Sequence, residues 1–288
     1  MYADWLSVFV TFAVFSSGIA FPNPATYDIQ KGVLTSEVES NSTEAPASKN
    51  LTVHVKPVNE RFPHAVLFNT CGGTIISPTW IITGAHCTLY KGRRYIIAGT
   101  NDTENGAGVE RYVKRQVVHP LFTVGPYWLD TNDFNIKQVA ARWDFLLVEL
   151  SEPLPLDGKT MAAAKLDDQP SLPAGLNVAF AGYGTDHWGG GYMSEEMHMM
   201  ELTVQSDNVC KKLEEYNPED MLCALGRPPK YDSACNGDSG SGLVDETGRL
   251  VGVASWGEND AHSCDRKTLI VFARVSSARE WIKEVTDI

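Results

Sequence analysis

Residues 235–240 read CNGDSG, and residues 83–87 read TGAHC. Each segment places one reactive side chain, Ser239 or His86, among small residues and close to a cysteine. A serine hydroxyl is a poor nucleophile unless a base lies within hydrogen-bond reach and a third group orients that base. The two segments are far apart in the chain, so they can act together only in a fold that brings them into contact.

The composition limits the kinds of partner. The 288 residues are enough for one large all-β unit or two small domains, and the formal net charge is −12. Nucleic acid and anionic membranes both require a basic surface, so this charge argues against either as a partner. Beyond the first 20 residues no segment is long and apolar enough to span a membrane.

Residues 1–20 have the pattern of a signal peptide. They contain a mostly apolar run, followed by the small residues Gly18 and Ala20 at positions suited to cleavage before Phe21. The run is not preceded by Lys or Arg, which departs from the usual pattern, and the alternative is a buried first strand or helix. The signal-peptide interpretation predicts a secreted, extracellular protein.

Residues 21–50 are rich in Pro, Ser, Thr, Glu and Asn and lack apolar periodicity. This composition is typical of a leader or pro-segment rather than of a packed element. Asn41, Asn50 and Asn101 begin N-glycosylation sequons, which a secreted chain could use.

The cysteines indicate disulfide bonds. There are six of them, and an even number in a secreted chain favours pairing in an oxidising compartment. The alternative is a zinc site, but no two cysteines have C-x-x-C spacing. Spacing alone leaves 15 pairings open. The cysteines are Cys71, Cys87, Cys210, Cys223, Cys235 and Cys264.

From about residue 62 onward, short apolar runs alternate with clusters of Gly, Pro, Asn and Asp. Many β-branched runs at close spacing predict an all-β sandwich or barrel. The runs are 65–68, 74–76, 80–82, 95–98, 145–150, 178–180, 250–254 and 269–275.

The last segment has a different pattern. Residues 277–280 read SARE, a capping-box pattern, and Trp281, Ile282 and Val285 share one helical face. We therefore predict a C-terminal helix over residues 277–286.

Six motifs follow one another along the chain: CGGTII at 71–76, TGAHC at 83–87, DFLL at 144–147, MLC at 221–223, GDSG at 237–240 and SWG at 255–257. In this order they resemble the chymotrypsin-like serine proteases, over residues 51–288. The resemblance implies two six-stranded antiparallel Greek-key barrels with a C-terminal helix, and a protease that is made as a zymogen. The segment from Cys71 to Tyr90 also resembles insect haemolymph proteases of the scolexin type.

The resemblance implies a Ser-His-Asp triad, whose roles are taken over from the family. Ser239 would be the nucleophile, His86 the general base and acid, and Asp144 the group that orients the imidazole. Asp133 is an alternative to Asp144, because Asp133-Phe134 imitates Asp144-Phe145. Only Asp144 is followed by an apolar strand, which favours a buried carboxylate there.

The resemblance also implies the groups around the nucleophile. The backbone N–H groups of Gly237 and Ser239 would form an oxyanion hole. The family's disulfides fall on every cysteine, as Cys71–Cys87, Cys210–Cys223 and Cys235–Cys264.

In this family the base of the substrate pocket lies six residues before the nucleophile, which is Ser233 in this chain. Without a carboxylate there, we expect no preference for Arg or Lys at P1, although the neighbouring Asp232 is an alternative acidic group.

The expected walls of the substrate pocket are Ser255, Trp256, Gly257 and Ile270. Ile270 stands where many relatives have glycine, so it would shorten the pocket and favour small or medium apolar P1 residues. The alternative is that Ile270 is a core strand residue.

An insertion between His119 and Asp144 contains Tyr127, Trp128 and Asp130. In this family such a loop borders the substrate cleft, so we expect it to restrict access. The alternative is a surface loop without a role.

The expected start of the mature chain departs from the family. Its position is Leu51, where relatives have Ile-Val-Gly-Gly, and Lys49 is the nearest preceding basic residue. In the family the new amine binds the Asp before the nucleophile, which is Asp238 in this chain. Three outcomes stay open: cleavage at an unusual bond, a different way of stabilising Asp238, or a permanent zymogen.

The expected partners are a protein or peptide substrate, an activating protease and a serpin-type inhibitor, and we expect a monomer. No metal or other cofactor is expected in the reaction. A calcium loop with Asp102, Glu104 and Glu110 is the alternative to a merely solvated acidic turn. The rival functions are an inactive protease homologue that acts as a binding or immune adaptor, and a secreted esterase with the same triad.

Overall fold

The computed structural model describes residues 56–89, 94–106, 108–125, 128–130, 135–137, 140–185, 193–258, 264 and 266–288. The side chains of 128–130 and 135–137 are not part of this description. The predicted signal peptide (1–20), the predicted leader (21–50) and Leu51 lie outside the described residues, as do the sequons at Asn41 and Asn50. Asp133 and Tyr127 also lie outside them.

The described residues are mostly in strands, as the apolar runs predict, and each run becomes part of a strand. The strands are β1 Ala65–Phe68, β2 Cys71–Ser77, β3 Trp80–Thr83, β4 Tyr95–Ala98, β5 Val109–Val118, β6 Thr123–Val124, β7 Trp128–Asp130, β8 Asn135–Lys137, β9 Ala141–Arg142, β10 Leu146–Leu150, β11 Lys165–Leu166, β12 Asn177–Gly182, β13 His198–Val204, β14 Met221–Gly226, β15 Gly242–Asp245, β16 Arg249–Gly257 and β17 Ile270–Arg274.

Six strands close the first barrel, in the order β1-β2-β3-β10-β5-β4. Their pairings are antiparallel. Alternate residues of β1 serve two cores: Val66 and Phe68 belong to the barrel interior, whereas Leu67 belongs to a cluster shared with the second barrel. This explains why β1 is apolar throughout, since both of its faces are buried.

Six strands also close the second barrel, in the order β16-β15-β12-β13-β14-β17, with β17 pairing back to β16. The short β11 adds to it in parallel with β16. Phe180 and Phe272 meet edge to face in its interior, with 6.0 Å between the ring centroids. Two six-stranded antiparallel barrels are thus confirmed.

The two barrels share one hydrophobic cluster. It contains Leu67 and Leu147 of the first barrel together with Val244 and Leu250 of the second. Tyr183, whose side chain is fully buried, donates its hydroxyl to the carbonyl of Thr100 at 2.9 Å. The segments that directly follow β4 and β12 are therefore joined across the contact of the barrels.

The helical elements are short. They are α1 Val58–Arg61, α2 Asp207–Cys210, α3 Arg279–Thr286, and the 3₁₀ helices Ala85–Leu89 and Val275–Ala278. None of the helices in the described part of the chain has the length and apolar character needed to span a bilayer.

The predicted C-terminal helix is present, but the prediction that a capping box begins it is wrong. The α-helix begins at Arg279, its N-cap is Ala278, and no side chain caps it. Ser277 lies in the preceding 3₁₀ helix and donates its hydroxyl to the carbonyl of Arg274 at 2.6 Å. The 3₁₀ turn thus takes the place of the cap. The predicted apolar face is correct, because Ile282 is buried and Trp281 and Val285 pack against the same cluster.

Candidate active site

His86 and Asp144 meet because their strands are neighbours. β3 pairs with β10, and Thr83 lies opposite Leu146. His86 follows Thr83 in a 3₁₀ helix and Asp144 precedes Leu146, so both lie at the same end of this strand pair. Two segments distant in sequence are thereby brought into hydrogen-bonding distance.

The contact between these two side chains is short and buried. Nδ1 of His86 lies 2.6 Å from Oδ2 of Asp144, and the backbone N–H of His86 donates to Oδ1 at 2.9 Å. His86 is 7% exposed and Asp144 1%. The carboxylate therefore binds both the ring and the main chain of the histidine, which fixes the orientation of the imidazole.

Each partner favours the charged form of the other. Burial by itself would lower the pKa of His86, but the charge of Asp144 and the hydrogen bond to it outweigh burial and raise that pKa. Burial by itself would raise the pKa of Asp144, but His86 and the hydrogen bond from Ser255 lower it overall. The carboxylate is thus held ionised against the ring.

Ser255 contacts the carboxylate of the pair. Its hydroxyl donates to Oδ2 of Asp144 at 2.5 Å, and it is half-buried on β16. Its side chain is therefore committed to the carboxylate, and its place in the wall of a substrate pocket stays a prediction. The sequence offers no local signal for the contact, since the two residues are 111 positions apart.

The segment carrying Ser239 packs on the segment carrying His86. The carbonyl of Ser239 accepts a hydrogen bond from the N–H of Gly72 at 2.7 Å. Gly240 has φ +78°, and a Cβ there would overlap Oγ1 of Thr83 and lie 3.2 Å from the N of Gly84. Only glycine allows so close an approach of the two loops.

Gly84 belongs to the motif TGAHC, and the structure shows why this position requires glycine. A Cβ at this residue would lie 2.9 Å from both Cε1 and Nδ1 of His86, and 3.5 Å from Oδ2 of Asp144. The imidazole therefore occupies the space that any larger residue would need.

The backbone before the nucleophile turns sharply at Gly237, which is buried and has φ +97°. The main-chain N–H groups of the neighbouring residues have acceptors within the chain. That of Asp238 donates to the carbonyl of Cys235 at 3.1 Å, and that of Gly240 donates to the carbonyl of Ala254 at 2.8 Å. Within the described residues, the N–H groups of Gly237 and Ser239 donate to no acceptor. The two N–H groups on either side of Asp238 thus have no acceptor in this part of the chain.

Asp238 is buried beneath the serine loop. Its carboxylate accepts hydrogen bonds from the N–H of Gly184 at 3.1 Å and from that of Cys235 at 2.9 Å. Burial raises its pKa to about 7, against the smaller effect of these two bonds. No salt bridge reaches Asp238 from the part of the chain that the structure describes. Burial therefore favours the neutral, protonated form of this carboxyl group.

Ser233 shares a hydrogen bond of 2.6 Å with Thr268, hydroxyl to hydroxyl, a partner that the sequence did not reveal. Ile270 pairs with Gly257 across β16 and β17. It is 2% exposed within the core cluster of the second barrel, and Ala234 packs against that cluster.

The other pocket positions differ in their surroundings. The side chain of Trp256 belongs to an apolar cluster together with Leu213 and Val271. Asp232 is half-buried, and its backbone lies directly against Gly226.

Three disulfides hold these loops, with the pairing that the resemblance implies. Their Cα–Cα separations are 6.3 Å for Cys71–Cys87, 5.8 Å for Cys210–Cys223 and 5.2 Å for Cys235–Cys264. Cys71, Cys87 and His86 lie close together, but the two sulfurs are bonded to each other and cannot serve as thiolate ligands for a metal.

The insertion between His119 and Asp144 contains β6, β7, β8 and β9. Trp128 and Asp130 lie on β7, which pairs with β8. The predicted restriction of access stays a prediction.

In the acidic turn after β4, the carboxylate of Asp102 accepts hydrogen bonds from main-chain groups of the same turn. Asp102 accepts hydrogen bonds from the N–H of Glu104 at 2.9 Å and of Asn105 at 2.8 Å. The N–H of Asn105 is the main cause that lowers the pKa of Asp102. Glu110 lies on β5. The turn geometry thus gives Asp102 a structural role, and the calcium loop stays a prediction.

Comparisons with known proteins extend the resemblance seen in the motifs. The sequence profile of the trypsin family matches residues 38–282. The chain is 66% identical to Scolexin B of Heliothis virescens over the whole of both chains. It is 31% identical to Trypsin zeta of Drosophila erecta, over 82% of this chain and 79% of that protein. Among solved structures, neuropsin, a serine protease expressed in the limbic system of mouse brain, matches in fold with a TM-score of 0.65 and 23% identity, over 80% of this chain and 96% of that one.

Proposed function

The chain belongs to the trypsin family of serine endopeptidases, and from this membership we propose that Ser239 attacks the substrate's peptide carbonyl to form an acyl-enzyme. His86 takes the proton of the Ser239 hydroxyl and gives it to the leaving amine, while Asp144 stabilises the imidazolium. The observation that carries the proposal is the buried 2.6 Å contact between Nδ1 of His86 and Oδ2 of Asp144. This contact holds the proton on Nδ1, so that Nε2 is the basic nitrogen.

The proposed oxyanion hole consists of the N–H groups of Gly237 and Ser239. Its support is that neither group donates to an acceptor within the described residues. Such preorganised donors stabilise the charge that develops on the carbonyl oxygen in the transition state. Water then hydrolyses the acyl-enzyme, with His86 as its general base, which frees the acid product and restores the Ser239 hydroxyl. Every group that the protein supplies is a side chain or a main-chain amide, so we propose a mechanism without a cofactor.

We propose that the protein is a zymogen whose switch is Asp238. The buried carboxylate has a pKa raised to about 7 and lacks a cationic partner among the described residues, so a free amine would bind it favourably. Cleavage before Leu51 would supply that amine. Ionisation of Asp238 against it would then hold the loop of Gly237 and Ser239 in place.

We propose a non-tryptic P1 preference for small or medium apolar residues. In support, Ser233 stands at the expected base of the pocket, carries no carboxylate and shares a hydrogen bond with the hydroxyl of Thr268. Ile270, at an expected wall, has a branched side chain where many relatives have glycine. Peptide substrates that differ only at P1 (Ala, Val, Leu, Phe or Arg) test this. The Ser233→Asp variant should gain cleavage after Arg. Preferred cleavage after Arg by the unaltered enzyme would overturn the proposal.

The proposed setting is extracellular, with protein or peptide substrates. It is supported by the signal-peptide pattern, by three disulfides and by similarity to Scolexin B. An activating protease, a serpin-type inhibitor and a monomeric state belong to the same proposal.

The experiment is labelling with a fluorophosphonate probe before and after limited proteolysis, with N-terminal sequencing of the labelled chain. We expect label on Ser239 only in a chain that starts at or near Leu51, and none in the Ser239→Ala variant. A folded, cleaved chain that takes no label would favour the inactive homologue that acts as an adaptor. Labelling combined with cleavage of esters but not of peptides would favour the esterase.

A further inference from the structure

The backbone immediately around Asp144 has an unusual conformation. Trp143 has φ +51°, in the left-handed region that bulky residues rarely occupy. The N–H of Phe145 donates to the carbonyl of Trp143 at 2.8 Å, so that Asp144 is the middle residue of a three-residue turn. A conformation of this kind persists only where the surroundings hold it.

One buried side chain of the second barrel holds this turn. Oδ2 of Asp220 accepts the N–H of Trp143 at 2.6 Å, and Oδ1 accepts Nε of Arg142 at 2.7 Å. Asp220 is fully buried and directly precedes β14. Its carboxylate thus binds the two residues before Asp144 at once. The charged groups that face it are Arg142 and Glu219, which itself pairs with Arg142 at 3.1 Å.

The other side of the turn is held by aromatic contacts. The indole of Trp143 stacks on the ring of His119, with 5.0 Å between centroids and 9° between planes. The rings of His119 and Trp281 meet edge to face, with 4.7 Å between their centroids. The main-chain N–H of His119 donates to the carbonyl of Phe145 at 3.0 Å. These contacts fix the side chain of Trp143, whereas Asp220 is the one acceptor of its main-chain N–H among the described residues.

We propose that Asp220 is a positioning residue, which holds Trp143 in its left-handed conformation and thereby aims the carboxylate of Asp144 at Nδ1 of His86. This inference rests on the proposed function of the triad. Without the bond from Asp220, Trp143 relaxes toward negative φ and turns Asp144 relative to the imidazole. The contact of 2.6 Å then lengthens, and His86, which is buried, loses the group that favours its protonated form.

The test compares three variants of the processed enzyme. Asp220→Ala removes both bonds, Asp220→Glu keeps the charge but displaces the carboxylate by one methylene, and the control Arg142→Gln leaves the bond to Trp143 intact. We measure kcat/KM against pH, the low-field proton resonance of His86 Nδ1–H, and thermal unfolding. Asp220→Glu supplies the measurement if Asp220→Ala does not fold.

We expect Asp220→Ala to lower kcat/KM by about 10- to 100-fold, since small misplacements of reacting groups have effects of this size. The acidic limb of the profile, which reports deprotonation of His86, should move to lower pH, and the Nδ1–H resonance should shift upfield. Asp220→Glu should move both in the same direction, whereas Arg142→Gln should leave both in place.

A purely structural role for Asp220 would lower the unfolding temperature and leave the acidic limb and the resonance where they are. That result in folded Asp220→Ala or Asp220→Glu overturns the inference. If the processed wild-type enzyme takes no fluorophosphonate label, the proposed function fails instead. The Nδ1–H resonance of the variants would still report whether Asp220 orients Asp144.

Discussion

Gly84 shows how a residue without a side chain determines the geometry of the pair formed by His86 and Asp144. We expect Gly84→Ala to lower kcat by roughly 100-fold, because the added methyl would lie 2.9 Å from two ring atoms of His86 and displace the imidazole. Steady-state kinetics with a peptide substrate of the preferred P1 type measures this.

A matched control for Gly84 is Gly158, where a Cβ would meet nothing within 4 Å although φ is +72°. Gly158→Ala should reduce the free energy of unfolding by about 1–2 kcal/mol, because of its left-handed backbone, and leave kcat unchanged. Equal kcat values for the two variants would show that the imidazole does not need the space above Gly84.

Asp238 should make the stability of the uncleaved chain depend on pH. Folding raises its pKa from 3.8 to about 7, because burial disfavours the charge. Between these values the folded state binds more protons than the unfolded state, so the contribution of this residue to the free energy of unfolding falls as pH rises through this window. The full loss, reached by pH 8, is on the order of 4 kcal/mol.

The variant Asp238→Asn isolates this effect, since it removes the titrating group and little else. The measurement is urea unfolding at pH 5 and pH 8 in the Ser239→Ala background, which prevents self-digestion. The free energy of unfolding of the Asn variant should increase relative to that of the Asp form as pH rises. In a chain cleaved before Leu51 this trend between pH 5 and pH 8 should be lost, because an ion pair would lower the pKa of Asp238 below that window. A pH-independent difference in the uncleaved chain would contradict the expectation.

At the scale of elements, apolar runs predict the strands well, because each run fills the interior of a barrel or the cluster between barrels. The segment 95–98 illustrates this, since its predicted bounds and those of β4 coincide. The start of the C-terminal helix could not be read in the same way. A capping box and a 3₁₀ turn that ends in Ala278 have similar local sequences, and packing decides between them.

The same distinction applies to the candidate site. Motifs indicate His86, Asp144 and Ser239, but not the residues that support them. Ser255 and Asp220 act on the segment of Asp144 from 111 and 77 positions away, and nothing local marks either of them as a partner. Such contacts depend on how distant strands pair, and this register could not be predicted from the sequence.

Ile282 tests whether the C-terminal helix stabilises the body of the protein. It is fully buried in the cluster shared by the barrels, so Ile282→Ala should reduce the free energy of unfolding by about 2–5 kcal/mol. The neighbouring Lys283 is exposed, and Lys283→Ala should change it by less than about 0.5 kcal/mol. Urea unfolding in the Ser239→Ala background measures both. Similar values for the two variants would mean that the helix docks only loosely.

At the scale of the whole molecule, the candidate site depends on both barrels. His86 and Asp144 come from the first barrel and Ser239 from the second, while Ser255 and Asp220 reach across from the second to the segment of Asp144. A rotation of one barrel against the other would therefore break the bond from Ser255 to Asp144 together with the bonds from Arg142 and Trp143 to Asp220. The shared hydrophobic cluster opposes such a rotation, because its members come from both barrels.

The shared cluster also predicts how the protein unfolds. Neither barrel keeps its full apolar burial when the other is lost, so we expect one calorimetric transition, with equal calorimetric and van't Hoff enthalpies, despite the two closed barrels. Tyr183→Phe tests the polar bond within this contact. It leaves the carbonyl of Thr100 without its hydroxyl donor, which costs about 1–3 kcal/mol and should lower the single transition by roughly 2–10 °C. Two resolved transitions, in the wild type or in this variant, would mean that each barrel holds its own core and that the contact between them is the weaker part of the fold.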